Sequence, residues 1–376
     1  MKNLVIATDN YLPRWDGISR FLSEIIPRLT KEYDITVIAP DFGKTKNKNF
    51  KVVKIPVRKI VLGDFQPAKI RYLKIKKIIK EADVVFTQTI GPIGMCAIIA
   101  AKRHSKPLIA FIHNIEWELF PKAVSMPLAK KFLYPITKKI VRFLYNKCNL
   151  LIVPSSNISD MLGWQKIVSK KKVVHLGVNA DNFVKGDKEK AKRELAFKPR
   201  NFIIGYHGRL GREKDLKTLL RAFLRIRKNN KNVRLLIVGS GAKDVENLFK
   251  DKEYVIFPGP QDNIIPWIQA MDVYVLSSLT ETSSLSTLEA MSCEVAVIAT
   301  EVGFVKDYIE DFSNGIFFEK QHPYDLSKKI ELLMRDSRLR EKLGRNARKK
   351  ILEDFQWPET AERIAEAINS VIEEKK

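Results

Sequence analysis

The chain has 376 residues, 45% apolar and 29% charged, a globular rather than disordered composition that suffices for two domains with separate cores. Its 67 basic and 43 acidic residues give a net charge of +24, distributed unevenly: 32 basic and 12 acidic residues lie up to position 180, against 35 and 31 beyond it. The first half thus has a basic surplus of 20 and the second a surplus of only 4, which predicts an anionic partner for the first half: nucleic acid, a membrane surface or an acidic substrate. Cys96, Cys148 and Cys293 are too scattered for a disulfide framework or a zinc site, so a reducing cytoplasm is expected. The opening apolar run is too short for a secretion signal, and the longest one, 90–101, is too short to span a bilayer, so a chain free in solution is expected.

Along the first half, short β-branched runs alternate with longer amphipathic stretches. Strands are predicted at 3–8 (NLVIAT), 35–40, 51–56, 83–88, 107–113 (PLIAFIH), 150–155 and 172–177 (KVVHLG), with helical periodicity over 19–29, 67–81 and 127–147. Near-continuous apolar strands alternating with helices point to a doubly wound parallel sheet. The pattern restarts at 201–208 (NFIIGYHG) and continues through 233–241, 255–259, 272–278, 295–300 and 315–320, a second sheet of the same class. Residues 179–200, polar and highly charged, fit a linker region. Two such domains leave a cleft between them. In open α/β sheets ligands bind beyond the carboxyl ends of the strands, where helix N-termini point.

The segments after the strands therefore carry the candidate chemistry. After 272–278 comes ETSSLSTLE, with Glu281 and Glu289 eight residues apart. A helix starting near Ser284 would aim the amides of Ser283, Ser284 and Leu285 outward as donors for a diphosphate, with a carboxylate on either side for hydroxyl-rich groups. The same letters also allow a plain capping box from Ser286 to Glu289, and spacing alone does not choose. After 201–208, Arg209 and Lys214 flank a glycine-containing turn before an amphipathic helix, either a phosphate site or a solvated basic turn. His113 ends a strand, where a lone histidine is more often structural than catalytic. Gly17, following Asp16 in YLPRWDGISRF, opens a helix and permits close approach of a phosphate.

Taken in order, these motifs resemble the retaining glycosyltransferases of family 4, over nearly the whole chain. The resemblance rests on Glu281 and Glu289 for the family's Glu-x7-Glu, EAMSCEVAVIAT after it, GRLGREKD for GRLxxEKG, VVHLGVNADNF at the domain junction and DFQWPETAERIAEAI near the end. It implies the GT-B fold: two Rossmann-like domains, 1–180 for the acceptor and 181–355 for the nucleotide sugar, with a helix over 356–376 returning to the first. It also implies roles. Glu289 would hold the nucleotide ribose and Glu281 the donor sugar, while Arg209 and Lys214 neutralise the diphosphate with amides around Thr282–Leu285, and Asp16 and Gly17 would join the donor-binding residues. His113 would contact the sugar near its reacting carbon. No Asp-x-Asp occurs in the sequence, so a metal-held diphosphate is not expected, nor is a cofactor beyond the donor itself. Asp16, Asp215, Ser284, Glu294 and Ala296 depart from the family pattern, four of them where it has glycine and Ala296 where it has proline.

The basic half would take the acceptor. Residues 67–80 place Lys69, Arg71, Lys74, Lys76, Lys77 and Lys80 among Ile70, Leu73 and Ile78, and residues 127–147 mix six more cations with Phe132, Leu133, Tyr134, Phe143 and Tyr145. Basic amphipathic helices with aromatics predict attachment to an anionic membrane and a lipid or lipid-linked acceptor, with the chain peripheral on the inner face of the cell membrane. The bland alternative packs the apolar faces on the sheet and leaves lysines to coat the solvent side. A soluble glycan acceptor, a nucleotide-sugar epimerase and a nucleic-acid-directed protein of the same fold are the other readings; no nucleic-acid motif interrupts the sheets.

Overall fold

The structure is a computed structural model that describes every residue except 15, 46–48, 61–64, 119–126, 282 and 375–376, with residues 127–131 described by backbone alone. The chain forms two compact units, one of Met1–Leu176 with Trp357–Lys376, the other of Gly177–Gln356.

The first unit is built on strands β1 (Lys2–Ala7), β2 (Tyr33–Pro40), β3 (Lys51–Ile55), β4 (Val84–Thr87), β5 (Leu108–Phe111), β6 (Leu150–Val153) and β7 (Lys170–Val173). They form a parallel seven-stranded sheet in the order β3-β2-β1-β4-β5-β6-β7. Helices α1 (Gly17–Leu29), α2 (Tyr72–Lys80), α3 (Pro92–Arg103), α4 (Pro127–Tyr145) and α5 (Ser156–Trp164) alternate with the strands. The central strands are buried along their length, as the unbroken apolar runs require of a sheet covered on both faces. The second unit has α6 (Lys188–Glu194), β8 (Phe202–His207), α7 (Leu216–Asn229), β9 (Val233–Val238), β10 (Val255–Gly259), β11 (Val273–Leu276), α8 (Leu285–Ser292), β12 (Ala296–Thr300), β13 (Ile316–Phe318), α9 (Pro323–Arg335) and α10 (Ser337–Asp354). Its parallel sheet runs β10-β9-β8-β11-β12-β13. Helix α11 (Trp357–Glu373) belongs to the first unit: Trp357 is buried against Phe21, and Tyr33 donates to Asn369 Oδ1 at 3.0 Å.

Three expectations change. The strand expected at 172–177 starts two residues earlier, over KKKV, because β6 pairs with Lys170, Lys171, Lys172 and Val173. β7 is an edge strand whose lysine heads reach the end of the chain: Lys172 to Glu366 of α11 at 3.0 Å and Lys170 to Glu374, just past that helix, at 2.8 Å. The helix expected from Pro67 starts only at Tyr72, since Arg58 N donates to Pro67 O and Lys69 N to Pro56 O, holding 67–69 extended. The supposed linker is part of the second core. Phe183 and Phe197 are buried there, and α6 is tied down by Asp272, whose carboxylate takes Lys188 and Lys192, both at 3.1 Å, and the amide of Ile203. Charged letters do not make a linker when their charges are paired inside.

Candidate active site

In the second unit the strand order reverses between β8 and β11, so the loops leaving these strands flank the crevice where open sheets bind ligands. The two loops are laced together. Leu279 N donates to Glu213 O and Ser277 Oγ to Lys214 O, both at 2.8 Å. Lys214 Nζ hydrogen-bonds Glu281 Oε1, which also accepts from Ser278 Oγ at 2.7 Å. Arg209 pairs with Glu213 and keeps its head half-exposed. A Cβ on Gly303, whose φ is +50°, would lie 1.7 Å from Glu281 O, so the loop after β12 closes on this segment only because that residue is glycine. Lys214 and Glu281, 67 residues apart in the chain, are thus brought into contact, with Arg209 on the same turn.

Helix α8 begins at Leu285 with Ser284 as its cap, Ser284 Oγ accepting from Thr287 N at 3.4 Å and from Thr287 Oγ1 at 2.8 Å. The alternative capping box with Ser286 as cap is therefore not formed, and Glu289 falls in the second turn. Its carboxylate is buried, Oε2 standing 3.7 Å from Nδ1 of His207, itself buried at the end of β8. Tyr274 donates to Ser286 Oγ at 2.9 Å and Tyr206 to Arg209 O at 2.8 Å; burial raises both phenols above their ordinary pKa, which keeps them as donors. Ser283 and Leu285 are half-buried beside the cap, and Thr282 lies outside the described residues.

Two departures from the family pattern have a common cause. Asp215 has φ 44° and Glu294 φ 57°, the left-handed conformation in which glycine is strain-free. Asp215 sends its carboxylate to Thr218 Oγ1 at 2.6 Å, within the first turn of α7, and Glu294 pairs with Lys185 at 3.0 Å. Ser284 supplies the cap hydroxyl that glycine would lack, and Ala296 opens β12.

In the first unit the order reverses between β1 and β4. Asp9, just after β1, is buried and accepts from Ile93 N at 2.8 Å, Gly94 N at 3.0 Å and Thr89 Oγ1 at 2.8 Å, at the start of α3. Burial raises its pKa against those hydrogen bonds. Asp16 likewise accepts from Ile18 N at 3.0 Å and Ser19 N at 2.9 Å, closing a capping box at the start of α1. This corrects the expectation for Asp16: its carboxylate occupies the amides a phosphate would use, and a bound anion would have to displace it. At Gly17 a Cβ would meet no atom within 4 Å, so the approach is open.

His113 follows β5. Its Nε2 lies 2.9 Å from Gln88 Oε1, its ring stacks on Phe111 at 4.4 Å, and Phe21 meets it edge-on. Burial lowers its pKa to about 3, so the imidazole is neutral at physiological pH. Three residues on, Glu116 accepts from Tyr145 of α4 at 2.7 Å, and burial raises its pKa to about 7. Asp9, Gln88, Glu116 and His207 were not singled out from the sequence; the available signal was their position at or just past strand ends.

Of the expected membrane-facing cations, Lys74, Lys76, Lys77 and Lys80 are on α2, whereas Lys69 and Arg71 precede it. All but the half-buried Lys76 are exposed. Lys76 and Lys80 meet Arg103 and Lys106 around His104, whose pKa is lowered by desolvation and by these four charges. No helix among the described residues is long and apolar enough to cross a membrane.

Two family models match in succession, Glycosyltransferase Family 4 over residues 15–182 and Glycosyl transferases group 1 over 187–350. The chain belongs to these glycosyltransferases and is an enzyme of that class. It is 24% identical to the capsular polysaccharide biosynthesis glycosyltransferase CapM of Staphylococcus aureus, over 98% of this chain and 97% of that protein. It is 25% identical to the alpha-monoglucosyldiacylglycerol synthase of Acholeplasma laidlawii, over 91% of this chain and 90% of that one. Among solved structures, HepE of Anabaena in complex with UDP-glucose superposes with a TM-score of 0.78 at 19% identity, covering 98% of this chain and 99% of that chain. That likeness shows the GT-B fold.

Proposed function

We propose that the enzyme transfers a hexose from a nucleoside-diphosphate sugar, with retention and without a metal or other cofactor, to a lipid or lipid-linked acceptor. The observation that carries the donor reading is the Lys214–Glu281 contact beside the Ser284-capped start of α8. In the structure the cation is balanced by Glu281. A diphosphate entering the crevice replaces Glu281 as the partner of Lys214 and frees that carboxylate for the sugar hydroxyls. Arg209 and the amides of Ser283, Ser284 and Leu285 complete the anion's surroundings, and Glu289 takes the ribose. As the leaving group departs, charge grows on the diphosphate, where a fixed cation and oriented amides stabilise it best. By the family resemblance His113 would contact the sugar near its reacting carbon, and a neutral imidazole would do so without adding a competing positive charge. By the same resemblance Gly17 would admit the donor, and Asp16 serves as the cap of α1 rather than as a phosphate ligand. Retention rests on the family resemblance, and metal independence on Lys214 and Arg209 together with the missing Asp-x-Asp.

The lipid acceptor is supported by the basic first half and by similarity to a monoglucosyldiacylglycerol synthase. Each Lys or Arg near an anionic leaflet adds roughly 1 kcal/mol, so Lys74, Lys77 and Lys80 with their exposed neighbours Lys69 and Arg71 suffice for reversible attachment. Similarity to a capsular polysaccharide enzyme keeps a glycan acceptor as the competing outcome.

A donor panel scored by released nucleoside diphosphate, with lipid extract or oligosaccharide as acceptor, tests the whole reading. Donor turnover only with lipid present, an unchanged anomer by NMR and activity surviving EDTA are expected. An inverted anomer, full dependence on added Mn²⁺, or turnover on the glycan alone each removes the corresponding part. Glu289→Gln should weaken nucleotide affinity by roughly 1–3 kcal/mol, the range for a charged hydrogen bond. If folding stability falls instead and affinity holds, Glu289 is only the buried partner of His207.

A further inference from the structure

Helix α4 has two apolar faces. Val141, Leu144 and Tyr145 are buried against the rest of the first unit, as an amphipathic helix on a sheet requires. On the other side Phe132 is 66% exposed, Ile136 54%, Ile140 44% and Phe143 59%. At about 100° per residue these four project within about a quarter of the helix circumference, a continuous stripe facing away from the core. The bland sequence reading, apolar side in and lysines out, therefore fails for this helix. A water-facing stripe of large apolar side chains marks an interaction surface rather than an ordinary solvated face.

The charges around the stripe select its partner. Lys139, Arg142 and Lys147 line a shallow hollow of about 360 Å³ with Phe143 and Asn146, and the ammonium of Lys147 lies 4.2 Å from the Phe143 ring centroid. No Asp or Glu occurs between Glu118 and Asp160. A second copy of this chain docking here by a two-fold would bring Lys139 and Arg142 against themselves with no acid from this helix to compensate. A nucleic-acid backbone would satisfy the cations but leave the aliphatic and aromatic stripe facing charge. An anionic bilayer satisfies both, since phosphates meet the cations at headgroup depth while the apolar stripe enters the acyl boundary.

We propose that α4 inserts its Phe132–Ile136–Ile140–Phe143 face into the interface of an anionic lipid bilayer. The inference rests on the lipid-acceptor reading and deepens it. The lysines of α2 attach electrostatically and are screened by salt, whereas α4 supplies an apolar contribution that salt does not screen.

The test is sedimentation of the full chain with vesicles of phosphatidylglycerol and phosphatidylcholine, at 0.1 M and 0.5 M NaCl, alongside a Phe143→Trp variant with spin-labelled lipid. Wild type should stay partly bound at 0.5 M salt, and Trp at position 143 should be quenched by the label. The double variant Phe132→Ser with Phe143→Ser should bind at least ten-fold more weakly at 0.5 M salt while keeping nucleotide binding and its circular dichroism spectrum. Equal binding of wild type and double variant, or no quenching at position 143, overturns the inference. So does a wild-type dimer that the double variant turns into a monomer, which would make this face a self-contact. Vesicle binding that behaves as expected while no lipid is glycosylated sustains the inference and removes only the acceptor reading. Glycosylated lipid with unaltered binding of the double variant does the reverse.

Discussion

The two units bury charge in opposite ways. In the second, buried carboxylates are paired with cations from distant segments: Glu281 with Lys214, and Asp272 with Lys192 and Lys188. In the first, His113 and Glu116 are half-buried without an opposite charge as the main influence, and desolvation drives each toward its neutral form. The helix starts at the two switch points differ in the same sense. Those of α1 and α3 already hold a carboxylate of the chain on their amides, Asp16 and Asp9. In the second unit α7 follows Asp215, whose carboxylate goes to Thr218 Oγ1 and takes no helix amide, and α8 begins on the neutral hydroxyl of Ser284 with a cation nearby. An incoming diphosphate meets occupied amides and negative charge in one unit, and an exchangeable ion pair in the other. That difference is the physical ground on which the proposal places the donor in the second unit.

Removing a partner from a buried pair should have the largest effect. Asp272→Asn leaves the buried ammonium of Lys192 without its counter-charge and should cost about 3–5 kcal/mol of stability, measured by urea unfolding. A loss below 1 kcal/mol would mean that Asn201 O, which Lys192 also reaches at 2.9 Å, carries the site alone. Next comes Lys214→Met, expected to lower turnover by roughly 10²–10³-fold, the range for losing one group that stabilises developing charge. The same loss produced by Asp16→Asn, which keeps the cap and removes the charge, would shift the diphosphate to α1 and break the comparison.

Glu116 tests the neutral character of the first unit. Below its ordinary pKa of 4.5 both folded and unfolded chains hold the proton. As the pH rises to about 7 the unfolded chain releases it and the folded one does not, so this group's contribution falls through that window and levels off above it. Glu116→Gln should therefore be relatively more stable at pH 8 than at pH 4, by up to about 3 kcal/mol, in paired unfolding curves. Parallel curves across the window would show that the carboxyl ionises normally. The smallest effect belongs to Asp215→Gly, which relieves a left-handed residue at the loss of one hydrogen bond to Thr218 and should gain about 1 kcal/mol or less. A clear loss would make the Asp215–Thr218 contact the stronger influence.

The sequence by itself determined both sheets and the order of the chemistry-bearing loops. Runs such as NLVIAT and VAVIAT are apolar on both faces and admit little but a covered parallel strand, and local spacing puts Glu281 before a helix and Glu289 inside it. Tertiary structure decided the rest, because the deciding partner is far away in the chain. Whether a helix N-terminus is free depends on Asp9 meeting amides more than 80 residues later. Whether 188–194 is linker or core depends on Asp272 receiving its lysines. Periodicity marks α4 as apolar, but a helix apolar on two sides has no sequence signal saying which side the sheet takes. That choice is made by packing, which buries Val141 and Leu144 and leaves Phe132 and Phe143 facing outward.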